Sequence, residues 1–173
     1  MISLSRYIRI ACLSLLLMAS PVIAGSSQEI SVTDTTKIAQ DAFNRGDYRE
    51  ALALWLNAAK QGSAEAQVFV GLAHANGWGV SKNINKAVSW YHRAAENNSP
   101  SGQLLLGLYY VQKSNSEERA SGLYWLRAAA GQGDKTAQNF LDKGFANGWF
   151  TDISHQELNN KPSTPLAIAS SLD

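Results

Sequence analysis

The sequence is poor in cysteine and has no excess of charge of either sign. Its single cysteine, Cys12, lies near the start of the 173 residues, so the rest of the chain has no thiol for a disulfide or a thiolate metal site. Fifteen Lys and Arg residues are interspersed with fourteen Asp and Glu residues, which gives no basic field of the kind that nucleic-acid-binding proteins use. Runs of β-branched residues are scarce as well, and this favours helix over sheet.

Residues 1–24 have the composition of a secretory signal peptide. Arg6 and Arg9 give a positively charged start, residues 10–19 form an apolar run, and small or permissive residues precede Gly25. The sequence therefore predicts cleavage after Ala24 and a periplasmic or secreted protein. An uncleaved membrane anchor is the alternative, but the second half of the uncharged stretch is polar and contains a proline, whereas a spanning helix needs about 20 mostly apolar residues.

One pattern of small and aromatic residues occurs three times between residues 51 and 129. It reads ALALWLNAA at 51–59, AVSWYHRAA at 87–95 and SGLYWLRAA at 121–129, with Trp55, Tyr91 and Trp125 in register. A second element, AQVFVG at 66–71, returns as GQLLLG at 102–107 and AQNFLD at 137–142. A period of roughly 35 residues is typical of stacked helical pairs, because one such pair cannot bury its apolar face alone.

The pattern predicts an all-α repeat domain over residues 35–150. We expect helices at about 35–45, 48–61, 64–76, 85–97, 100–112, 116–131 and 135–146, with Thr33, Asp34 or Thr35 as the cap of the first. Residues 25–34 are predicted to be a flexible lead-in, and residues 151–173 a partial capping helix followed by a loose tail. The capping helix is indicated by Ser154 and by Glu157 three residues later, the spacing of a capping box.

Two kinds of residue recur at fixed positions inside the predicted helices. Gly71 and Gly107 each cost about 1 kcal/mol relative to alanine in a helix, so their recurrence predicts that a neighbouring helix crosses close to the backbone. Three glutamines recur as well, at Gln67, Gln103 and Gln138. They either form a polar ladder for a peptide backbone or bond the carbonyl groups of neighbouring loops.

Residues 66–96, AQVFVGLAHANGWGVSKNINKAVSWYHRAAE, resemble the SEL-one-like repeat family, a branch of the tetratricopeptide-like α-solenoids. The family pattern A-x-x-x-L-G-x-x-Y-x-x-G-x-G-V-x-x-D-x-x-K-A-x-x-W-Y-x-x-A-A is followed closely, although His74 and Asn83 stand where Tyr and Asp are usual. The resemblance implies a short right-handed α-solenoid of about three to four antiparallel helix pairs. It also implies a non-enzymatic interaction scaffold, which in secreted bacterial members is associated with the cell envelope.

No motif in the chain predicts catalysis, a metal site or a cofactor. The histidines are His74, His92 and His155; His74 and His92 lie on different predicted helices, and no paired carboxylates stand at metal-ligand spacing. The serines lack a G-x-S-x-G setting. The rival hypotheses are an envelope enzyme that acts on peptidoglycan, which would need a polar pocket with perturbed carboxylates, and a structural subunit that self-associates.

The concave face is the predicted binding site for a protein or peptide partner. In the family the first helix of each pair lines this face. The predicted floor of the groove and its polar border are Val68, Leu72, Leu104 and Leu108, and Asn76, Gln112, Asn139 and Lys143. The helices at 64–76 and 100–112 are apolar on almost every side, so these leucines are either an exposed apolar groove or buried core. The chain's own apolar segment at 166–169 is one possible occupant of such a groove.

Overall fold

The computed structural model describes residues 31–153, and every regular element in that range is a helix. The helices are α1 (Val32–Arg45), α2 (Tyr48–Lys60), α3 (Ala64–Asn76), α4 (Ile84–Glu96), α5 (Pro100–Tyr110), α6 (Ser116–Gly131) and α7 (Lys135–Ala146). Each helix packs mainly on the helices before and after it, and α3 also packs on α5. The predicted all-α solenoid of helix pairs is confirmed. The predicted signal peptide, most of the lead-in, the eighth helix and the tail lie outside the described residues.

The first helix of each pair begins at the same kind of cap. The side chains of Ser31, Ser63 and Ser99 accept hydrogen bonds of 3.1–3.2 Å from the backbone N–H three residues later, and Asp134 does the same for α7 at 2.9 Å. Such a cap satisfies one of the N–H groups that a helix start leaves unpaired, and its loss costs about 1 kcal/mol.

The cap predicted for α1 was wrong. Ser31 caps the helix, and Thr33, Asp34 and Thr35 all lie inside it. Asp34 accepts a hydrogen bond of 2.8 Å from the Ser31 hydroxyl, while the Thr35 hydroxyl donates to the Ser31 carbonyl at 3.0 Å. Several residues in this stretch are good caps, and the structure uses the earliest of those described.

The core consists of three clusters that each join one helix pair to the next. The first surrounds Trp55, which is 1% exposed and stacks on Phe69 of α3 with ring centroids 4.8 Å apart. The second surrounds Tyr91 and Trp125, and the third surrounds Leu126 of α6 and Leu141 of α7. Because each cluster draws on adjacent pairs, no pair has a core of its own, as expected for a solenoid.

The helices cross closely at the recurring glycines, as the sequence predicted. A Cβ atom on Gly71 would lie 2.4 Å from the Tyr91 ring, and a Cβ atom on Gly107 would lie 2.9 Å from the carbonyl oxygen of Gly122. Gly122, in α6, is packed in the same way against Val111. These glycines therefore permit contacts at backbone distance that any side chain would prevent.

Two of the recurring glutamines bond carbonyl groups of the preceding helix, and these carbonyls lie at the ends of α2 and α4 and not in loops as one of the two alternatives predicted. The Nε2 atom of Gln67 donates to the Ala59 carbonyl at 3.2 Å, and that of Gln103 donates to the Ala95 carbonyl at 3.4 Å. Their Oε1 atoms accept hydrogen bonds from the end of the second helix of the same pair, from Asn97 after α4 at 2.9 Å and from Gln132 after α6 at 2.8 Å. Each glutamine thus links three consecutive segments of the solenoid.

The third glutamine provides a matched control for this role. Gln138 occupies the same register position but is exposed, whereas Gln103 is 3% exposed. We expect Gln103→Ala to lower the free energy of unfolding by about 1–3 kcal/mol, because it removes a buried amide that forms hydrogen bonds with Ala95, Asn98 and Gln132. Gln138→Ala should change it by less than about 0.5 kcal/mol. Urea denaturation measures both, and equal losses in the two variants would contradict the role.

Candidate protein-binding face

The predicted binding residues lie on the first helices of successive pairs. Val68, Leu72 and Asn76 follow one another at intervals of four residues in α3, which places them on one side of the helix. Leu104 and Leu108 repeat this spacing in α5, and Gln112 lies just beyond the end of that helix. Asn139 and Lys143 continue the register in α7. We call this set of eight residues the inner face.

The apolar members of the inner face differ in how far they are buried. Val68 is 7% exposed, so only a small part of it is available to a partner. Leu72, Leu104 and Leu108 are half-buried. Each of these leucines therefore has one side in the core and another side in contact with solvent.

The structure divides the leucines between two clusters. Leu72 packs with the cluster of Tyr91 and Trp125, and Leu104 and Leu108 pack with the cluster of α6 and α7. The apolar part of the inner face is therefore two adjacent patches, each covering the junction between one helix pair and the next.

The amide side chains at the helix ends are held by the same hydrogen bond three times. Nδ2 of Asn76 donates to the Leu72 carbonyl at 2.9 Å, and Nε2 of Gln112 donates to the Leu108 carbonyl at 2.7 Å. Asn147, which the sequence analysis did not single out, donates to the Lys143 carbonyl at 2.7 Å. Each bond joins an amide to the carbonyl four residues earlier, and together they fix three exposed amides in equivalent positions.

Sequence reasoning missed a second pair of residues beside the leucines. The Nζ atom of Lys113 lies 2.8 Å from the Tyr109 hydroxyl and 4.1 Å from the centroid of its ring. Tyr109 is half-buried and shares the cluster of Leu72. The four-residue spacing of Leu105, Tyr109 and Lys113 could have indicated this pair. The sequence analysis considered only the neighbouring row of the same spacing, which contains Leu104 and Leu108. A cation held over a ring extends the polar border of the face.

The ionisable groups whose pKa values are shifted lie in the core. Burial, and then the charge of Lys86, lowers the pKa of His74, while burial raises the pKa of Tyr91 to about 12. Burial, with smaller contributions from Tyr109 and Glu118, raises the pKa of Tyr110. These shifts keep the three side chains neutral near pH 7, which suits groups packed between helices.

The rival functions would need a metal centre, an acidic pocket or a membrane-spanning helix. Over residues 31–153, no three His, Asp or Glu side chains are grouped closely enough to hold a metal ion. A shallow depression beside the α1–α2 loop is lined by Asp47 and Glu50, but both carboxylates are exposed and form ion pairs with Arg45 at 3.1 and 3.5 Å. This arrangement is typical of a solvated surface. No helix in this part of the chain is both long and apolar enough to span a membrane.

Comparison with known proteins gives one matching family model and several similar structures. The Sel1 repeat model matches residues 44–63, 64–99 and 100–134. The last two matches each contain one complete helix pair, α3 with α4 and α5 with α6. No curated protein matches the chain.

Two of the similar crystal structures have helical repeats and low sequence identity to this chain. The Sel1 repeat protein from Oxalobacter formigenes is 28% identical with a TM-score of 0.65, over 76% of this chain and 56% of its own length. A protective antigen present in uropathogenic Escherichia coli strains and displaying an SLR fold is 26% identical with a TM-score of 0.63, over 77% of this chain and 30% of its own. The chain thus spans about half of the first relative and under a third of the second.

Proposed function

The chain belongs to the Sel1 repeat family, and on that premise we propose that it binds a protein partner in the bacterial envelope through the inner face. Sel1 repeat proteins generally act as protein-interaction scaffolds. The observation that carries the proposal is the partial exposure of Leu72, Leu104 and Leu108 on the first helices of adjacent pairs. Partly exposed leucines grouped at helix junctions and bordered by polar side chains are typical of a protein contact surface.

The shape of the face suggests how the partner lies on it. The leucines provide two apolar patches, and the amides of Asn76 and Gln112 border these patches. Lys143 adds a positive charge on α7. An amphipathic helix or an extended segment could place apolar side chains on the patches and polar groups along the border. The chain's own segment 166–169 is one candidate of this kind. A partner carrying an acidic residue near α7 would gain from the lysine.

The function is tested by capture of a partner from envelope extract with the chain as bait. The captured protein counts as a partner of the inner face only if it is lost when that face is altered and retained when another surface is altered. Capture that is the same for all baits would refute binding at this face. The variants suited to this comparison are given in the Discussion.

The envelope location rests on residues 1–24 and has a separate test. We expect N-terminal sequencing of exported protein to begin at Gly25, because small residues precede the proposed cleavage site. Ala24→Arg should block cleavage, whereas Gly25→Ser should leave it unchanged. A protein that still begins at Met1 and stays in the membrane would show that the segment is an anchor.

A further inference from the structure

A polar pair, Tyr109 in the last turn of α5 and Lys113 just beyond it, stands at positions that are not polar in α3 and α7. The register of Gln67, Gln103 and Gln138 identifies the equivalent residues. They are Ala73 and Gly77 for α3, and Gly144 and Gly148 for α7. None of these four residues has a polar side-chain atom, so stacking of the helix pairs does not require one at these positions. The hydroxyl and the ammonium at the end of α5 therefore need another explanation.

The geometry of the pair leaves hydrogen-bond donors without acceptors. The Lys113 ammonium donates one N–H to the Tyr109 oxygen at 2.8 Å, so its other N–H groups and the tyrosine's own O–H remain unused. Within residues 31–153, no carboxylate forms an ion pair with Lys113, and no acceptor receives a hydrogen bond from the Tyr109 hydroxyl. Two atoms 2.8 Å apart thus hold a positive charge and several free donor hydrogens.

The surroundings of the pair do not balance this charge. Tyr109 and Lys113 are both partly buried, and burial without a counter-ion deprives an ammonium of part of its hydration. The neighbouring cation, Arg119, donates to the Lys113 carbonyl at 3.2 Å and has a counter-ion in Asp152. Tyr110 is 6% exposed, and its hydroxyl has no hydrogen-bond partner among the residues described. An anion from a binding partner would supply an acceptor that the described residues do not provide.

The pair lies at the edge of the inner face. Tyr109 packs in the cluster that contains Leu72, and Lys113 directly follows Gln112, which borders the apolar patches. A segment bound on the leucines can therefore bring one of its side chains to the pair. A carboxylate suits the pair best, because its two oxygens can accept from the ammonium and from the hydroxyl together. Hydrogen bonds to an ionised group are also about twice as strong as neutral ones.

We propose that Tyr109 and Lys113 form a carboxylate-binding site, and that the partner segment has an Asp or Glu beside its apolar residues. One carboxylate oxygen accepts a hydrogen bond from the Lys113 ammonium, and the other accepts one from the Tyr109 hydroxyl. This inference rests on the proposed function and adds the chemistry of the partner: the segment on the inner face is amphipathic and acidic. Its negative charge complements the unbalanced charge of Lys113 and discriminates against a basic segment.

Selection of random peptides from a display library tests the site. Peptides that bind the wild type and are weakened by Asn76→Arg, a change at an exposed residue of the border, count as inner-face binders. We expect them to carry Asp or Glu at one fixed distance from their apolar residues. Replacing that acid by its amide should weaken binding to the wild type by about tenfold or more.

Three variants assign this loss to the pair. Lys113→Met keeps the length of the side chain without its charge, and Tyr109→Phe keeps the ring without its hydroxyl. With Lys113→Met the acidic and amide peptides should bind equally well, and with Tyr109→Phe their difference should shrink. Lys60→Met is the matched control, because it makes the same change at an exposed lysine at the end of α2, and it should keep the full difference.

Two results would overturn the carboxylate site and leave the proposed function standing. The first is a set of inner-face binders in which acidic residues are no more frequent than in the library. The second is an acid-to-amide loss that is as large with Lys113→Met as with the wild type. Recovery of no peptide that Asn76→Arg weakens would instead count against binding at the inner face, and with it against both proposals.

Discussion

Gly107→Leu should lower the free energy of unfolding by about 3 kcal/mol or more, at the upper end of what overpacking costs. A Cβ atom at this position would lie 2.9 Å from the Gly122 carbonyl oxygen and 3.0 Å from the Leu126 nitrogen. Both are backbone atoms of α6, so a side chain can be accommodated only if α5 and α6 move apart. That movement would open the core on both sides of the crossing, since α5 contributes to two of the three clusters.

Two further glycines make this experiment specific. Gly71→Leu should also be strongly destabilising, because its side chain would displace the buried ring of Tyr91. Gly131 is the control: it ends α6, and a Cβ atom there would meet no atom within 4 Å. Gly131→Ala should leave stability unchanged or raise it by about 0.5 kcal/mol. Urea unfolding followed by circular dichroism measures all three. Free energies of unfolding of both leucine variants within about 0.5 kcal/mol of wild type would refute the close crossing.

The second large effect is expected on binding. We expect the double variant Leu72→Asp, Leu104→Asp to weaken partner binding at least 30-fold, because loss of one central interface residue typically costs about 2 kcal/mol or more. Both side chains are half-buried, so each new carboxylate can turn toward solvent and the helical content should persist. Ile84→Asp is the control for each single variant, since it makes the change from an apolar residue to aspartate at a 42% exposed position of α4.

A second set of variants keeps this prediction testable if the double variant does not fold. Asn76→Arg and Gln112→Arg alter exposed residues whose side chains bond only the carbonyl four residues earlier in their own chain segment. They add bulk and charge at the border without touching the core. Normal partner binding by both arginine variants, together with failure of the leucine variant to fold, would assign Leu72 and Leu104 to the core and refute the groove.

The boundaries of several helices were predictable because local signals mark them. The limits of α3, α6 and α7 agree with the sequence analysis within a residue or two, since residues such as Ser63 and Asp134 cap them and Gly77 ends α3 in the left-handed conformation. The end of α5 was placed two residues too late. No glycine follows that helix, and the apolar pattern continues past Tyr110 without a stop signal.

The inner face was less predictable for a physical reason. α3 and α5 are apolar on almost every side because they contact helices both before and after them, so the sequence carries no period that separates core from groove. Only the packing shows that Val68 is buried while Leu72 is partly exposed. For the same reason the sequence did not distinguish Tyr109 as a surface residue. Tyr109 lies in the row of residues next to the row of Leu104 and Leu108.

Site-specific photo-crosslinking in intact cells tests the inner face most directly. A photoreactive residue would be placed at Asn76 or Gln112 on the border of the face, and at Lys60, an exposed position at the end of α2, as the control. We predict one discrete crosslinked protein from positions 76 and 112, absent from position 60 and lost when Leu72→Asp and Leu104→Asp are combined with the probe. A crosslinked protein obtained from position 60 alone, in cells where positions 76 and 112 give none, would contradict binding at the inner face.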